Sequence, residues 1–224
     1  MGPETAAEFY LEIVKRSRPH IRDTYPPILI YSVPVPFEVE RNMVENGRGE
    51  ERMLPVLERG VRVLEEGGAD FIVIPCNTVH VFHPRLASLL TVPLLNILDV
   101  TALACGARGW RRVGTLGTGK TLESRLYEKA LEKAGMEAIN LAGNRRSELS
   151  ELIYRILSGK LREGDRGSLL DMIEELRLAG ADGVVLGCTD LQLLITEGDD
   201  DLSLPVIDSM RCLAEEVVDR LKGK

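Results

Sequence analysis

Two of the four cysteines have neighbours that could take part in chemistry. Cys76 lies in Pro75-Cys76-Asn77-Thr78-Val79-His80, and Cys188 lies in Gly187-Cys188-Thr189-Asp190. Each closes a short β-branched run and is followed at once by amide or hydroxyl side chains suited to a small polar ligand. Alone, a cysteine in such a place is ordinarily a small buried hydrophobe. These two recur in a pattern. Residues 68–76 read Gly-Ala-Asp-Phe-Ile-Val-Ile-Pro-Cys and residues 180–188 read Gly-Ala-Asp-Gly-Val-Val-Leu-Gly-Cys, and a proline follows each cysteine at the same distance, at Pro93 and Pro205. Matched motifs at matched spacing mark an internal repeat. Two thiols facing one substrate suit the inversion of a stereocentre without a cofactor, which needs a base on one face of the carbon and an acid on the other. A thiolate and a thiol fill those roles and exchange them after each turnover, provided that loop amides or a helix N-terminus favour the thiolate. Cys105, in an Ala/Leu stretch, and Cys212, on the last helical stretch, lack such neighbours and are expected to be packing residues.

Other chemistries compete for the same residues. Cys76 and His80 form a Cys-x3-His, with His83 close behind, but no second cluster completes the four ligands that a structural zinc site takes. No metal is expected. His80 is expected to steady Cys76 or its loop, and His83, before Pro84, to lie in a surface loop. Gly114-Thr115-Leu116-Gly117-Thr118-Gly119-Lys120-Thr121 satisfies the phosphate-binding pattern G-x-x-x-x-G-K-T. Against a nucleotide, its first glycine falls inside the apolar run, and Asp208 is the nearest candidate to hold magnesium. The same loop could hold a carboxylate with Thr118, Thr121 and backbone amides at a helix N-terminus.

The elements that position these groups follow from periodicity. Short apolar runs at Ile28–Val33, Phe71–Ile74, Leu94–Ile97, Val113–Leu116, Val184–Leu186 and Val206–Ile207 alternate with amphipathic stretches at 51–66, 121–135, 147–158 and 168–179. That alternation predicts an α/β fold, with mainly parallel sheets covered by helices. The repeat predicts two pseudo-symmetric α/β halves, 1–98 and 99–208, with a C-terminal helix over 209–224, part of which can pack on the first half. Ligands bind beyond the carboxyl ends of such strands, where Cys76 and Cys188 stand. The second half opens with strand, small-residue loop and helix. The first opens directly on Met1-Gly2-Pro3-Glu4-Thr5 and a helix through Val14, so its leading strand is absent: either Met1 is an internal methionine, the favoured reading, or the chain tolerates an incomplete sheet.

Composition narrows the function classes. Charged residues make up 28% of the chain and sum to −7, with no basic stripe, so no nucleic-acid partner is expected. The acidic run Asp199-Asp200-Asp201 is expected to be a solvated loop. No apolar stretch is long enough to span a membrane, and a signal-peptide profile is absent, so the expected compartment is the cytoplasm. Gln192 is the single glutamine, which would fit a thermophilic source.

The cysteine motifs resemble those of the aspartate/glutamate racemase superfamily, and within it the aspartate racemase branch. Pro-Cys-Asn-Thr-x-His around Cys76 and Gly-Cys-Thr-acidic around Cys188 are similar to that branch's two catalytic-cysteine motifs. Met-Gly-Pro-Glu-Thr resembles the loop after the family's first strand, and Leu116-Gly117-Thr118 with Thr121 resembles its second-half loop. The resemblance implies an interface site between two α/β domains, no pyridoxal phosphate or other cofactor, an amino-acid substrate such as aspartate, and a homodimer. Cys76 and Cys188 would be the acid/base pair, and Asn77, Thr78, Thr118, Thr121 and Thr189 would bind the α-carboxylate and amino groups. The chain departs from the pattern where aspartate's side chain should be held. Ser32 to Glu40 contains no basic residue and Arg41 comes late, while Ser158 stands at the expected lysine, with Arg155 and Lys160 near it. Glutamate racemases usually carry a histidine where this chain has Asp190. Hydantoin racemases, maleate isomerases and decarboxylases use the same scaffold, the decarboxylases typically with one cysteine. A non-catalytic carboxylate- or nucleotide-binding protein is the alternative of another class.

Overall fold

The computed structural model describes residues 2–20, 25–36, 38–39, 41–42 and 48–222. Met1, Glu40 and the last two residues of the expected C-terminal helix lie outside the described residues. The first half contributes helices α1 (Pro3–Ser17), α2 (Glu50–Glu66), α3 (His83–Ala87) and α4 (Ile97–Ala107). In the second half, β1 (Arg112–Leu116) is followed by α5 (Gly119–Glu123) and α6 (Leu126–Lys133), then β2 (Glu137–Asn140). Helices α7 (Gly143–Leu157) and α8 (Asp165–Leu178) lead to β3 (Gly183–Leu186), and β4 (Val206–Asp208) runs into α9 (Ser209–Lys222). The four strands form one parallel sheet in the order β2-β1-β3-β4, flanked by helices.

The repeat is visible in matching local structure. Helices α2 and α8 both end in left-handed glycines, Gly68 at φ +88° and Gly180 at φ +87°. In both, the next amide reaches back over the last turn, Ala69 to Leu64 at 3.1 Å and Ala181 to Leu176 at 3.0 Å. A non-glycine residue would be strained at that φ. The following strands then pair alike. The Val184 amide donates to Pro205 at 2.9 Å, and the Ile72 amide donates to Pro93 at 2.9 Å.

The two halves differ in how far that pairing extends. The expected strands Phe71–Ile74 and Leu94–Ile97 are reduced to one parallel bridge, Ile72 to Leu94, and Ile28–Val33 forms no strand. A parallel strand exists by its ladder, and Ile28–Val33 has no neighbour to ladder with. Ile97 instead opens α4, because the Asn96 side chain accepts the Leu98 amide at 3.0 Å and caps a helix there. The expected helix 121–135 is broken into α5 and α6 at Arg125, which is left-handed at φ 53°. Strand β2, which periodicity did not indicate, completes the sheet edge.

Three apolar clusters hold these layers. Met53, Leu57 and Val61 of α2 pack on Ile72 and Ile74. Leu152, Ile153 and Ile156 of α7, with Met172 and Leu176 of α8, cover one face of the second-half sheet. The third cluster joins the halves: Phe9 and Ile13 of α1, Ile97 of α4, Tyr127 of α6, and Leu213 and Val217 of α9. Cys105 and Cys212 are buried in it, and burial pushes both thiols up to about 12. No helix among the described residues is long and apolar enough to cross a membrane.

Candidate active site

Cys76 and Cys188 each end their strand segment and lead into a short 3-10 turn, Thr78–Phe82 and Thr189–Leu193. Both are buried, at 9% and 7% exposure. The opening helix of each half reaches across to the cysteine loop of the other. Thr121 of α5 lies 3.4 Å from the Thr78 hydroxyl, and Thr5 of α1 donates to Asp190 Oδ1 at 3.3 Å. Thr78 and Asp190 occupy equivalent places, two residues beyond their cysteines, so the two contacts are related by the repeat. This reciprocity sets the cysteine loops against each other at the junction of the halves.

Burial raises the Cys188 thiol well above its ordinary value, and the Asp190 carboxylate and the neighbouring Cys76 add to this. Cys188 Sγ donates to Asp190 Oδ2 at 3.6 Å. Asp190 therefore holds the Cys188 proton in place. Replacing it, Asp190→Asn, removes the negative charge and the better acceptor. The midpoint of Cys188 alkylation in a pH series is expected to move to lower pH. An unmoved midpoint would show that the carboxylate does not act on this thiol.

Around Cys76, Asn77 ties the halves together. The Tyr127 hydroxyl donates to Asn77 Oδ1 at 2.6 Å, and Asn77 Nδ2 donates to Ser209 Oγ at 2.9 Å. Ser209 in turn donates to the Leu186 carbonyl at 2.8 Å. Burial raises the Tyr127 hydroxyl far above its usual range, so it stays a donor. One Asn77 amide hydrogen is left over. The Thr78, Thr118 and Thr121 hydroxyls form a triangle, with Thr78–Thr118 at 2.9 Å and Thr118–Thr121 at 3.0 Å. Thr118 also caps α5 by accepting the Thr121 amide at 3.3 Å. Thr189 is buried, and its hydroxyl has no protein partner among the described residues.

His80 has both ring nitrogens in use. Nδ1 donates to the Cys76 carbonyl at 2.7 Å, and Nε2 accepts the Ile97 amide at 3.3 Å. That leaves no lone pair for a metal. His83 is not the surface loop residue expected from sequence: it begins α3, is half-buried, stacks on His80 with centroids 5.6 Å apart, and bonds the Leu94 carbonyl at 3.0 Å. The nucleotide-like pattern also resolves into packing. Gly114 lies inside β1, where a Cβ would come within 2.9 Å of Leu176. Only Gly117 and Thr118 turn between β1 and α5, too little for a phosphate-wrapping loop.

Two buried titrating groups beside these loops oppose each other. Burial lowers His80 to about 4, so between pH 6.5 and 4 the unfolded chain binds the extra proton and stability falls as pH falls. Burial raises Asp208, whose Oδ1 accepts the Met210 amide at 2.8 Å, to about 6. Between pH 6 and 3.8 the folded chain binds the extra proton, and stability rises as pH falls. Asp208→Asn keeps the helix cap and leaves His80 unopposed. Relative to wild type, its stability is expected to drop by up to about 1.4 kcal/mol per pH unit from pH 6 to 4. Urea midpoints that track wild type over that range would contradict this.

Sequence reasoning missed Thr5, Tyr127 and Ser209 and gave Asp190 no role. The repeat offered one signal, since Thr5 is the first-half counterpart of Thr121. Known proteins share this architecture over nearly the whole chain. The broad specificity amino-acid racemase RacX of Bacillus subtilis is 29% identical over 222 residues, covering 97% of this chain and 93% of its own. A putative Asp/Glu racemase from Yersinia pestis superposes with a TM-score of 0.84 at 28% identity, covering 98% of this chain and 96% of that one. An aspartate racemase homologue from Pyrococcus horikoshii OT3 gives 0.79 at 29% identity, with 99% and 95% covered. The Asp/Glu/Hydantoin racemase family model matches residues 1–217. With that match over almost its full length, the chain belongs to the Asp/Glu/Hydantoin racemase family and is an isomerase of the amino-acid racemase kind.

Proposed function

We propose that this protein racemises small amino acids, aspartate among them, by proton transfer at Cα between Cys76 and Cys188. The observation that supports this reading most is the reciprocal placement of the two cysteine loops by Thr5 and Thr121. In one direction of the reaction Cys76 acts as the base and takes the Cα proton. The electron pair spreads into the substrate carboxylate, and Cys188 delivers its proton to the opposite face. Cys76 then carries a proton and Cys188 the charge, which sets the enzyme for the reverse conversion. Thr78, Thr118 and Thr121 receive the carboxylate, and Thr189 and the free Asn77 amide hydrogen receive the amino end. No cofactor is needed, and a cytoplasmic homodimer is the expected assembly.

The side-chain end of the substrate meets weaker discrimination. A cavity of about 810 Å³ opens beside α5 and α7, lined in part by Tyr154, Arg155, Ser158 and Lys160. Arg155 is held by buried Asp165 through contacts of 2.6 to 3.2 Å, and the Ser158 hydroxyl donates to the Tyr154 carbonyl at 2.8 Å. Arg41 stacks over Tyr154 at 5.6 Å. Neither Arg155 nor Ser158 can clamp a distal carboxylate, and the Lys160 ammonium offers a point charge, not a fork. Arg146, tied through Nε to the Leu141 carbonyl at 2.8 Å, and Arg162 also line the cavity, and the relaxed selectivity read here is in keeping with the name of the Bacillus subtilis relative. The test is Cα proton–deuterium exchange in heavy water, followed by NMR, for aspartate, glutamate, alanine and serine without added cofactor. Exchange on several of them supports the reading. Exchange on none would sink it.

A further inference from the structure

Two adjacent arginines in the first turn of α7 are held differently. The Arg145 guanidinium is engaged by carboxylates, Glu148 at 2.7 Å and Glu175 at 3.0 Å. Arg146 makes no ion pair among the described residues, and its side chain donates there only from Nε, to the Leu141 carbonyl at 2.8 Å. That bond roots the guanidinium and leaves both terminal nitrogens without a protein partner, on a residue that lines the cavity beside α5 and α7. A planar fork fixed at its root is suited to receive a carboxylate through two parallel bonds.

The cavity as a whole favours an anion. Arg146, Arg155, Lys160 and Arg162 line it against two carboxylates, Glu123 and Glu151, in a chain whose net charge is −7. A local excess of positive charge in a cleft draws ligands of the opposite sign. Of these cations, Arg155 is locked to Asp165, and the Arg162 guanidinium lies in the field of the same carboxylate. Arg146 is the pre-set fork that remains. The space, about 810 Å³, also exceeds what a short side chain fills and falls in the range of sites for larger ligands.

The placement of Arg146 says which anion. Leu141, its anchor, directly follows β2, and β2 pairs with β1 up to Asn140 and Thr115. Strand β1 leads into Gly117 and Thr118, beside the threonine triangle read above as the cradle of the α-carboxylate. The fork is therefore rooted one strand over from that cradle, roughly 4.8 Å to the side, at the same carboxyl end of the sheet. Gly119 and Leu122 of α5 also line the cavity, so its space begins next to the cradle. We propose that Arg146 is a specificity-determining residue that holds the side-chain carboxylate of an α-amino dicarboxylic acid longer than aspartate, of the α-aminoadipate class. For its chemistry this rests on the racemase reading; for binding it does not. Short side chains stop before the fork, which leaves selectivity among them relaxed, whereas a long acidic chain reaches it.

Two measurements test this. In Cα exchange, wild type is expected to prefer α-aminoadipate over α-aminohexanoate, which has the same carbon count without the distal charge. The ratio of kcat/KM values should be about 10–100-fold, the worth of hydrogen bonds to a charged group. Arg146→Met should abolish that ratio, and Arg146→Lys, which keeps the charge and loses the fork, should retain only part of it. Equal losses on both substrates, as a merely structural role would give, overturn the proposal, as does an absent preference in wild type. The second measurement needs no turnover. At equal concentration and fixed ionic strength, adipate should raise the Tm of wild type more than hexanoate does, and the difference should vanish in Arg146→Met. If no amino acid exchanges but this difference in Tm holds, the racemase reading fails and the Arg146 site stands. If short amino acids exchange and adipate acts like hexanoate, the Arg146 site alone fails.

Discussion

Racemisation is expected to fall by about 10²–10⁴-fold in both Cys76→Ala and Cys188→Ala, the range that a general acid or base contributes. The two losses should be alike because inversion needs both faces of the carbon served. The partial reactions should not be alike. With Cys188 replaced, Cys76 can still remove a proton from the enantiomer whose Cα–H faces it and return one to the same side, so that enantiomer exchanges with solvent and keeps its configuration. With Cys76 replaced, the other enantiomer should behave this way. The pattern would assign each thiol to its enantiomer. Stability is a small term here. Each variant loses one sulfur from a site that still touches solvent at 7–9% exposure, and large-to-small costs scale with the group removed. Melting temperatures close to wild type would therefore place the loss in chemistry. Full racemisation in either variant would refute the two-thiol mechanism, and loss of exchange on both enantiomers in both variants would mean that the cysteines act together on binding.

What could be read from the residues alone divides along a physical line. The cysteine loops, the halves and the helices α2, α7 and α8 were legible because repeat spacing and one-sided apolar patterns are local properties of the chain. Elements that depend on a neighbour were less so. Ile28–Val33 has the composition of a strand but no ladder beside it, and Glu137–Asn140, with two apolar residues, is a strand because β1 pairs with it. Helix α4 escaped because, beyond Asp99 and Thr101, it is apolar nearly all round and shows no one-sided face to periodicity, although Asn96 marked its start. Within the site, the Thr118–Thr121 loop was legible as a motif. The Tyr127–Asn77–Ser209 chain and the Thr5–Asp190 bond were not, since their partners lie 50, 132 and 185 residues apart in sequence. The same limit applies to Arg155, whose pairing with Asp165 turns a possible substrate clamp into a buried ion pair.

The Gly187→Ala variant should lose both stability and turnover, because one methyl group presses on the contact that links the fold to the site. Gly187 follows β3 and precedes Cys188, and its amide donates to the Leu116 carbonyl at 2.6 Å. A Cβ there would come to 2.7 Å from the Tyr127 ring and 3.0 Å from the Leu116 carbonyl oxygen. The backbone cannot give without breaking the bond to Leu116. The ring cannot give cheaply either, being 1% exposed in the cluster that joins the halves. Overpacking of this kind costs about 1–3 kcal/mol, or roughly 2–12 °C in Tm for a chain of this size. Any retreat of Tyr127 withdraws its hydroxyl from Asn77, and any retreat of the backbone carries Cys188 with it. A displacement near 1 Å at a reacting group can cost about 10²-fold in rate, so kcat should fall by more than about tenfold in protein that is still folded, with KM changing less. Gly164→Ala is the control, since nothing lies within 4 Å of a Cβ at that helix start and its φ of −87° suits any residue. Tyr127→Phe separates the two routes. If it reproduces the loss of kcat without the full loss of Tm, the damage passes through the Asn77 bond; if kcat is unaffected, displacement of Cys188 carries it. A Gly187→Ala protein with wild-type Tm and kcat would mean that the junction between the halves is looser than these distances imply.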